Sequence, residues 1–335
     1  MKKATILSRI LLLSFLIGLF LAPSALADVA ITEENFPDEA FRNYILKEVD
    51  GDRNGFLDKR EIKNTSSLYC REMNISDLTG IEYFSNLKGL YCQDNNLTNI
   101  DVSLLSDLES LSCDSNQIAE LDVSKCKKLL YLDISNNLVK EIDLSQNIKL
   151  KGFSSVNCNL TSLDVSACPQ LESMYCNVNR ISEIDVSKCK KLKKLLLADN
   201  LLTEIDVSGN RLLEDLDMRE NVIKVLDVSK CSALTKIECD HCQLETLKLG
   251  KLKNLWRLSC HNNCLTELDV TGCPALEVFI CYSNNLTELD ASRCHKLKRI
   301  WCEDNPLQVL DLHGVPDGYD LRVNHKGDVP VNVIR

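Results

Sequence analysis

The sequence is poor in aromatic residues, which form 5% of its 335 residues, and it lacks an excess of basic charge. A low aromatic content fits a core of stacked Leu, Ile, Val and Cys side chains. The formal charge is −10, and residues 1–27 hold three basic residues and no acid, so the remainder carries −13 (−10 − 3). This acidic balance disfavours nucleic acid and anionic membranes as partners.

Catalytic motifs are also lacking. The sequence contains no G-x-S-x-G, no H-E-x-x-H and no phosphate-binding loop, and it has only five histidines. Because no motif with a stated mechanism is present, we expect a protein without enzymatic activity.

What the sequence does contain is a repeat of about 21 residues. Twelve units start at Leu68, Leu90, Leu111, Leu132, Phe153, Met174, Leu195, Leu216, Ile237, Leu258, Phe279 and Ile300. The first spacing is 22 residues (90 − 68) and every later one is 21. Position 6 is Asn in nine of the eleven units from Leu90 on, and Cys in two, while positions 8, 11, 13 and 19 are almost all aliphatic. This pattern is the leucine-rich repeat, L-x-x-L-x-L-x-x-N/C-x-L.

A repeat of this length predicts an α/β solenoid, because one unit cannot bury its apolar face without its neighbours. We expect a leucine-rich-repeat horseshoe of about twelve 21-residue coils over residues 68–312, with a parallel β-sheet on the concave side. Positions 1 and 3 point inward and positions 2 and 4 outward. Positions 11 to 13 are expected to form a second short strand, and Ser at position 14 to cap a short helical turn.

Seventeen cysteines in an exported protein would normally suggest disulfides. Here most of them recur at repeat positions 3 and 16, which other units fill with apolar residues or Asn, so we interpret Cys as a small buried residue. Cys239 and Cys242 have zinc-ligand spacing. That spacing also follows from the repeat, and we favour the repeat as its explanation.

Two polar residues recur on most coils. Asn at position 6 is interpreted as structural, because its amide can bond backbone groups of the turn. Asp at position 12 forms an acidic column on the back of the solenoid. This column could take divalent ions, but we favour bonds from each Asp to nearby backbone amides.

Residues 1–27 have the features of a secretory signal peptide. Lys2, Lys3 and Arg9 precede an apolar stretch of 13 residues, too short to span a bilayer, and Ala25-Leu26-Ala27 is a cleavage site. We expect cleavage after Ala27, secretion or retention at the cell surface, and no transmembrane segment in the mature chain.

Residues 28–67 lack the repeat and are predicted to form a small helical EF-hand cap. The segment 50–61 matches the calcium loop D-x-[DN]-x-[DN]-G-x5-E at every position. The expected ligands of one Ca²⁺ are Asp50, Asp52, Asn54, Phe56 through its carbonyl, Asp58 and Glu61. The alternative is an acidic turn without a metal. Residues 313–335, where the repeat fades, are predicted to form the C-terminal cap.

The repeat with Cys or Leu at position 3, Asn at position 6 and Leu-Asp-Val-Ser after it resembles the leucine-rich repeats of bacterial secreted and surface proteins, broadly the internalins. The N-terminal segment Phe36-Pro37-Asp38-Glu39-Ala40-Phe41-Arg42 with its calcium loop looks like a module that often precedes such repeats. The resemblance covers residues 31–312 and implies binding of a partner protein on the concave sheet. The sequence departs from the internalins in having no immunoglobulin-like module and no wall anchor after the repeats.

The concave surface changes character along the chain. Its middle units carry small and acidic residues, whereas its C-terminal units group both tryptophans with Arg, His and Tyr, a composition typical of binding hot spots. We name this group the C-terminal patch: Asp240, His241, Trp256, Arg257, His261, Ile280, Tyr282, Arg299, Trp301 and Glu303. The alternative is that the two tryptophans cover the C-terminal core.

These features favour a secreted binding protein that holds a protein or glycan ligand on its concave face. The alternative function is a structural or self-assembling module associated with the cell envelope.

Overall fold

The computed structural model describes residues 28–323 and 330–335, so the predicted signal peptide lies outside the described residues. Helix α1 is Glu39–Glu48, helix α2 is Lys59–Asn64, and a 3₁₀ turn spans Ile81–Tyr83. The strands are β1 Val29–Ala30, β2 Phe56–Leu57, β3 Ser67–Tyr69, β4 Gly89–Tyr91, β5 Ser110–Ser112, β6 Tyr131–Asp133, β7 Gly152–Ser154, β8 Ser173–Tyr175, β9 Lys194–Leu196, β10 Asp215–Asp217, β11 Val225–Asp227, β12 Lys236–Glu238, β13 Thr246–Lys248, β14 Arg257–Ser259, β15 Val278–Ile280, β16 Glu288–Asp290, β17 Arg299–Trp301, β18 Val309–Asp311, β19 Asp320–Arg322 and β20 Asn332–Ile334.

The main sheet has thirteen parallel strands, from β3 at one edge to β19 at the other. Each strand pairs with the equivalent strand of the next coil, as Leu111 does with Leu132 and Leu258 with Phe279. The predicted solenoid of about twelve coils is therefore confirmed. The register continues beyond the last predicted unit, because Leu321 pairs with Ile300 and so opens a thirteenth strand.

The side opposite the main sheet differs from the prediction. Second strands form at positions 10 to 12, one residue earlier than expected, and among the described coils only the C-terminal ones have them, in the pair β11–β13 and the trio β16–β18–β20. The predicted helical turn after position 14 does not form either. Two successive turns replace it, in which Leu105 donates to the Val102 carbonyl and Leu108 to the Leu105 carbonyl.

The core runs the length of the solenoid and consists of Leu, Ile, Val, Cys and a few Phe side chains. All seventeen cysteines are free thiols, and all but Cys264 are buried. Burial raises the pKa of Cys126 and Cys168 to about 11 and that of Cys70 to about 12, so these thiols stay protonated at neutral pH. These thiols therefore do not react as thiolates in the native fold.

Asn at position 6 bonds backbone groups of the turn, as predicted, and it also joins its coil to the one before it. In Asn116 the amide nitrogen donates to the carbonyls of Cys92, Cys113 and Asp114 at 3.0 to 3.2 Å. Its Oδ1 accepts from the Leu97 backbone N–H at 2.9 Å. The same set recurs at the other position-6 asparagines, all of them buried. Each carboxamide thus satisfies backbone groups on two coils that water does not reach.

Cysteine at positions 6 and 16 is more than the small apolar residue that we predicted. At position 6, Cys242 donates its thiol to the Met218 carbonyl at 2.9 Å, the type of carbonyl that Asn contacts in other coils. At position 16, Cys231 donates to the Val207 carbonyl at 3.2 Å, and Asn210 donates to the equivalent Val186 carbonyl at the same distance. Cys and Asn are interchangeable at these positions because both supply a buried donor.

Asp at position 12 uses its carboxylate locally, which confirms the favoured interpretation. Asp185 Oδ1, for example, accepts from the Ser187 backbone N–H at 2.7 Å, and this bond lowers the pKa of the carboxyl group. The interrupted coil supports the same conclusion. In the coil that starts at Ile237, Lys248 replaces the Asp at position 12. Position 14, whose N–H the Asp binds in other coils, is Gly250 in this coil, and its φ of +67° suits a residue without a side chain.

The N-terminal cap closes the free edge of the main sheet. Helix α1 begins after its N-cap residue Asp38, and it buries Phe41, Tyr44 and Ile45. The Tyr44 hydroxyl accepts from the backbone N–H of Tyr69 in edge strand β3 at 2.7 Å. This contact satisfies a donor that the edge would otherwise leave exposed.

Among the described residues, every helix is too short and too polar to cross a membrane.

The burial of the thiols predicts their reactivity. In native protein, iodoacetamide should label Cys264 alone, because it is the exposed cysteine, whereas denatured protein should take up seventeen labels. Intact-mass spectrometry counts the labels, and Cys264→Ser should remove the native signal. Fast labelling of many sites, or disulfide-linked peptides in a digest, would contradict the structure.

The position-6 contacts predict opposite effects for two substitutions. Asn200→Ala should lower the free energy of unfolding by about 2 kcal/mol or more, because the Cys176 carbonyl and the Ile181 N–H lose their buried partner. Cys158→Asn should raise it by about 1 kcal/mol, because Asn adds an acceptor that the thiol lacks. Urea unfolding of both variants checks this. Equal effects of the two substitutions would show that the carboxamide has no special role.

Candidate functional site

The predicted calcium loop lies between α1 and α2, and the fold gathers its acidic side chains. Oxygen atoms of Asp50, Asp52 and Glu61 all lie within 4.8 Å of one another. The side chains of Asp50 and Glu61 are buried, with 2% and 8% exposure. Two carboxylates held close together and away from water repel each other unless a cation or hydrogen-bond donors face them.

Backbone amides supply part of that compensation. Asp50 accepts from the N–H groups of Gly55 at 2.9 Å and Asn54 at 3.2 Å, while Asn54 Oδ1 accepts from Phe56 N–H at 2.7 Å. Gly55 has φ of +83°, as the sharp turn in the predicted loop requires. The loop is therefore wound around the Asp50 carboxylate.

Glu61 closes the loop from the first turn of α2. Its Oε1 accepts from Gly51 N–H at 2.7 Å, and its Oε2 accepts from Asp58 N–H at 2.9 Å. Asp58 in turn caps α2 by accepting from Glu61 N–H. Of the six predicted ligands, Asp50, Asp52 and Glu61 are thus brought together. One side-chain oxygen each of Asn54 and Asp58 instead accepts from a nearby backbone N–H.

A short strand that the sequence did not reveal supports this loop. Val29–Ala30 pairs antiparallel with the loop strand Phe56–Leu57, and Ile31 N–H donates to the Gly55 carbonyl at 2.9 Å. Two residues carry too little pattern to be recognised in a sequence. The strand gives the single loop an ordered partner of its own.

The second candidate site is the outward surface of the main sheet, which we call the sheet face. At its C-terminal end, Trp301 is held by charged neighbours. The Arg322 guanidinium lies 3.9 Å from the ring centroid and that of Arg299 lies 4.8 Å away. The indole Nε1 donates to Asp320 at 3.0 Å. This tryptophan is therefore fixed in orientation before any ligand arrives.

Trp256 lies just before β14 and has 42% of its surface exposed. Neither it nor Trp301 belongs to the buried core or to the hydrophobic side chains packed against the core. The alternative that both indoles cover the C-terminal core therefore has no support in the described residues.

Just after strands β12, β14 and β15, aromatic side chains of three adjacent coils are in contact. The His261 ring stacks on Tyr282, with centroids 4.3 Å apart and planes 8° apart, and meets His241 edge-on at 5.2 Å. The Asn262 amide nitrogen lies 3.0 Å from His241 Nε2 and 2.8 Å from His261 Nδ1. Burial lowers the pKa of His261, so this ring is neutral at pH 7.

Two members of the C-terminal patch are buried and serve as supports. Asp240, 5% exposed, accepts from the Ser259 hydroxyl at 2.7 Å and from the His261 N–H at 3.0 Å. Burial raises the pKa of its carboxyl group, against the effect of those bonds. Ile280 is 7% exposed beneath the aromatic side chains. The surface available to a ligand is formed by the other members of the patch.

Sequence reasoning missed an ion-pair cluster at the border of the patch. Glu238, nearly buried, contacts Lys236 Nζ at 2.8 Å and Arg257 Nε at 3.0 Å. Arg219 lies 3.7 Å from it and 2.6 Å from Asp217. Burial opposes ionisation of Glu238, but the bonds from Lys236 and Arg257 prevail and lower its pKa. The signal was available in the sequence, because Asp217 and Glu238 share one position of consecutive units, and Lys236 and Arg257 share another.

Comparisons with known proteins agree with the fold. No family model matches the sequence. A segment of 68 residues is 34% identical to Internalin J of Listeria monocytogenes serotype 4b (strain F2365), and it covers 20% of this chain but 7% of that protein. The chain therefore matches only a small part of its curated relative.

Solved structures extend the similarity to most of the chain. The functional domain of InlJ from Listeria monocytogenes, described as including a cysteine ladder, is 28% identical with a TM-score of 0.52, over 84% of this chain and 77% of that one. The internalin InlF of L. monocytogenes strain 4b F2365 is 18% identical with a TM-score of 0.79, over 90% and 94%. The plant peptide hormone receptor RGFR1, in complex with RGF2, is 22% identical with a TM-score of 0.62, over 69% and 42%. The chain thus has the leucine-rich-repeat solenoid fold of the Listeria internalins.

Proposed function

We propose that this chain is an extracellular binding protein that captures a protein ligand on the C-terminal patch. The observation that carries the proposal is the position of the two tryptophans, the only ones in the sequence. Trp256 is exposed and Trp301 is fixed by Arg322 and Asp320, and both lie at the surface, outside the core. Rigid aromatic side chains among arginines form hot spots, because they bury a large area without losing much conformational entropy.

The charge pattern favours a protein as the ligand. Outward positions of strands β9 to β19 mix acids and bases, and several are paired across strands, as Glu238 is with Arg257. Such a pattern suits a partner surface with its own fixed charges in matching places. A plant peptide hormone receptor of the same fold is described in complex with RGF2.

The signal peptide predicted for residues 1–27 supports secretion and cell-surface exposure of this binding protein. The alternative function is a structural or self-assembling module of the cell envelope, in which the partner of the patch is a second copy of the chain. The two proposals differ in whether the isolated protein associates with itself.

We further propose that the loop 50–61 binds one Ca²⁺ that stabilises the N-terminal cap. The donor set fits this ion, because Ca²⁺ takes carboxylate and carbonyl oxygens and the structure gathers oxygens of Asp50, Asp52 and Glu61. Asp58, the carbonyl of Phe56 and Asn54 complete the proposed set. Bound Ca²⁺ supplies the positive charge that offsets the repulsion among these carboxylates, and α1 and α2 are thereby held against the first coil.

The patch is tested by a pull-down from a biotinylated cell-surface protein extract. Combined replacement of Trp256, Tyr282 and Trp301 by Ala should weaken capture by about thirtyfold or more, since hot-spot residues dominate affinity. Leu138→Ala, Leu201→Ala and Leu212→Ala, at exposed positions outside the patch, form the matched control and should leave capture unchanged. Capture that survives the first set would refute the patch. Concentration-dependent self-association that needs the same residues would favour the envelope module.

The calcium site is tested by thermal unfolding with and without the ion. At about 100 times a dissociation constant near 10⁻⁴ M, Ca²⁺ should add about 3 kcal/mol of stability, and chelation should remove it. Glu61→Gln should abolish most of the calcium-dependent shift in Tm. Glu48→Gln, which removes an exposed acid of α1, should keep it. No heat of binding on calorimetric titration at millimolar Ca²⁺ would leave the acidic-turn interpretation in its place.

A further inference from the structure

The N-terminal half of the sheet face differs chemically from the C-terminal half. In each strand the central residue points into the core and the first and third residues point outward. The outward residues of β3 to β8 are Ser67, Tyr69, Gly89, Tyr91, Ser110, Ser112, Tyr131, Asp133, Gly152, Ser154, Ser173 and Tyr175. One of these twelve is charged, and four of the eight tyrosines in the sequence are among them. We call Tyr69, Tyr91, Tyr131 and Tyr175 the tyrosine platform.

The rings of the platform are held against the sheet. Tyr69 and Tyr91 stack in parallel, with centroids 4.8 Å apart and planes 1° apart. A Cβ on Gly89 would lie 2.8 Å from the Tyr91 ring, and a Cβ on Gly152 would lie 3.0 Å from the Tyr131 ring. The two glycines therefore provide the space in which these rings lie. Tyr69 and Tyr131 remain 61% and 53% exposed.

Hydroxyl groups and the carboxylates of Asp114 and Asp133 surround the rings. The Ser135 and Ser154 hydroxyls lie 2.7 Å apart, and Asp133 accepts from the Ser135 backbone N–H at 3.0 Å. The Ser112 hydroxyl donates to Asp114 at 2.7 Å. These groups can donate to and accept from a ligand rich in hydroxyls.

We propose that the tyrosine platform binds an extended neutral polysaccharide. A pyranose ring offers a face of C–H groups to the electron-rich face of a tyrosine and hydroxyls at its rim to Ser and Asp side chains. Tyr91, Tyr131 and Tyr175 belong to alternate strands, β4, β6 and β8, which lie about 10 Å apart across the sheet. Tyr91 and Tyr175 end their strands and Tyr131 begins its own, so the middle ring is offset by two residues along the strand direction. An extended polysaccharide presents equivalent sugar faces at a similar repeat. The proposal rests on the proposed binding function but uses residues that the C-terminal patch does not contain.

Affinity electrophoresis tests this proposal in native gels that each contain one soluble neutral polysaccharide: hydroxyethylcellulose, laminarin, amylose, mannan or galactan. The mature chain with Ca²⁺ should be retarded in at least one of them. In that gel, Tyr69→Ala and Tyr131→Ala should each weaken binding about threefold to tenfold, which is the loss of one stacking contact. Gly152→Ala should also weaken it by displacing the Tyr131 ring.

Matched variants separate this surface from the others. Trp256→Ala, which removes an exposed aromatic ring of the C-terminal patch, and Gly209→Ala, at an uncrowded glycine, should bind like the wild type. Thermal unfolding verifies that each variant is folded. No retardation in any of the five gels, or unchanged binding by the two tyrosine variants, overturns the proposal. If those variants instead lose a captured protein, a protein occupies this half of the face. If protein capture depends on Trp256 and Trp301 but no polysaccharide binds, the proposed function stands and this inference fails.

Discussion

Satisfying the buried backbone of every turn is the constraint on which the rest of this structure depends. A solenoid of 21-residue coils turns its chain sharply many times, and each turn leaves carbonyls and N–H groups without a strand partner. The carboxamide of Asn at position 6 meets several of these needs at once, as Asn284 does with three carbonyls and the Leu265 N–H. Because its partners lie on two coils, the same contact that completes one turn also fixes the spacing to its neighbour.

The cysteine content follows from the same constraint. A thiol is small enough for the core and can still donate weakly to a carbonyl, so it replaces Leu at position 3 and Asn at positions 6 and 16. At position 3, Cys113 lies 3.6 Å from the Asp133 carbonyl of the next coil, which is a weak contact, whereas Cys158 at position 6 lies 3.0 Å from its acceptor. The columns of cysteine therefore mark where the solenoid needs a compact side chain between stacked turns, and every one of these thiols is free.

The repeat made most of the fold predictable, because its register assigns each residue to the core or the surface. Contacts between coils were not predictable in the same way. Trp301 and Arg322 are 21 residues apart and belong to different units, one of which lay beyond the recognised repeat. Position 5 is another example, because it is left-handed in all twelve described coils although it holds no glycine. Asn and Asp, which favour this conformation, fill half of these positions, but Val178 and Glu220 adopt it as well, so the residue types give only a partial sign of it.

The one-dimensional construction of a solenoid also explains how one sheet can carry two surfaces of different chemistry. Each coil contacts only its neighbours, so the outward residues of one half are free to change without affecting the packing of the other. The half whose strands carry a single outward charge, Asp133, ends at β8, and Lys194 in the next strand begins the more charged half. Substitutions in the two halves should therefore have additive effects on stability, since side chains several strands apart share no partner. A fold of this kind can hold two unlike ligands side by side on one rigid face.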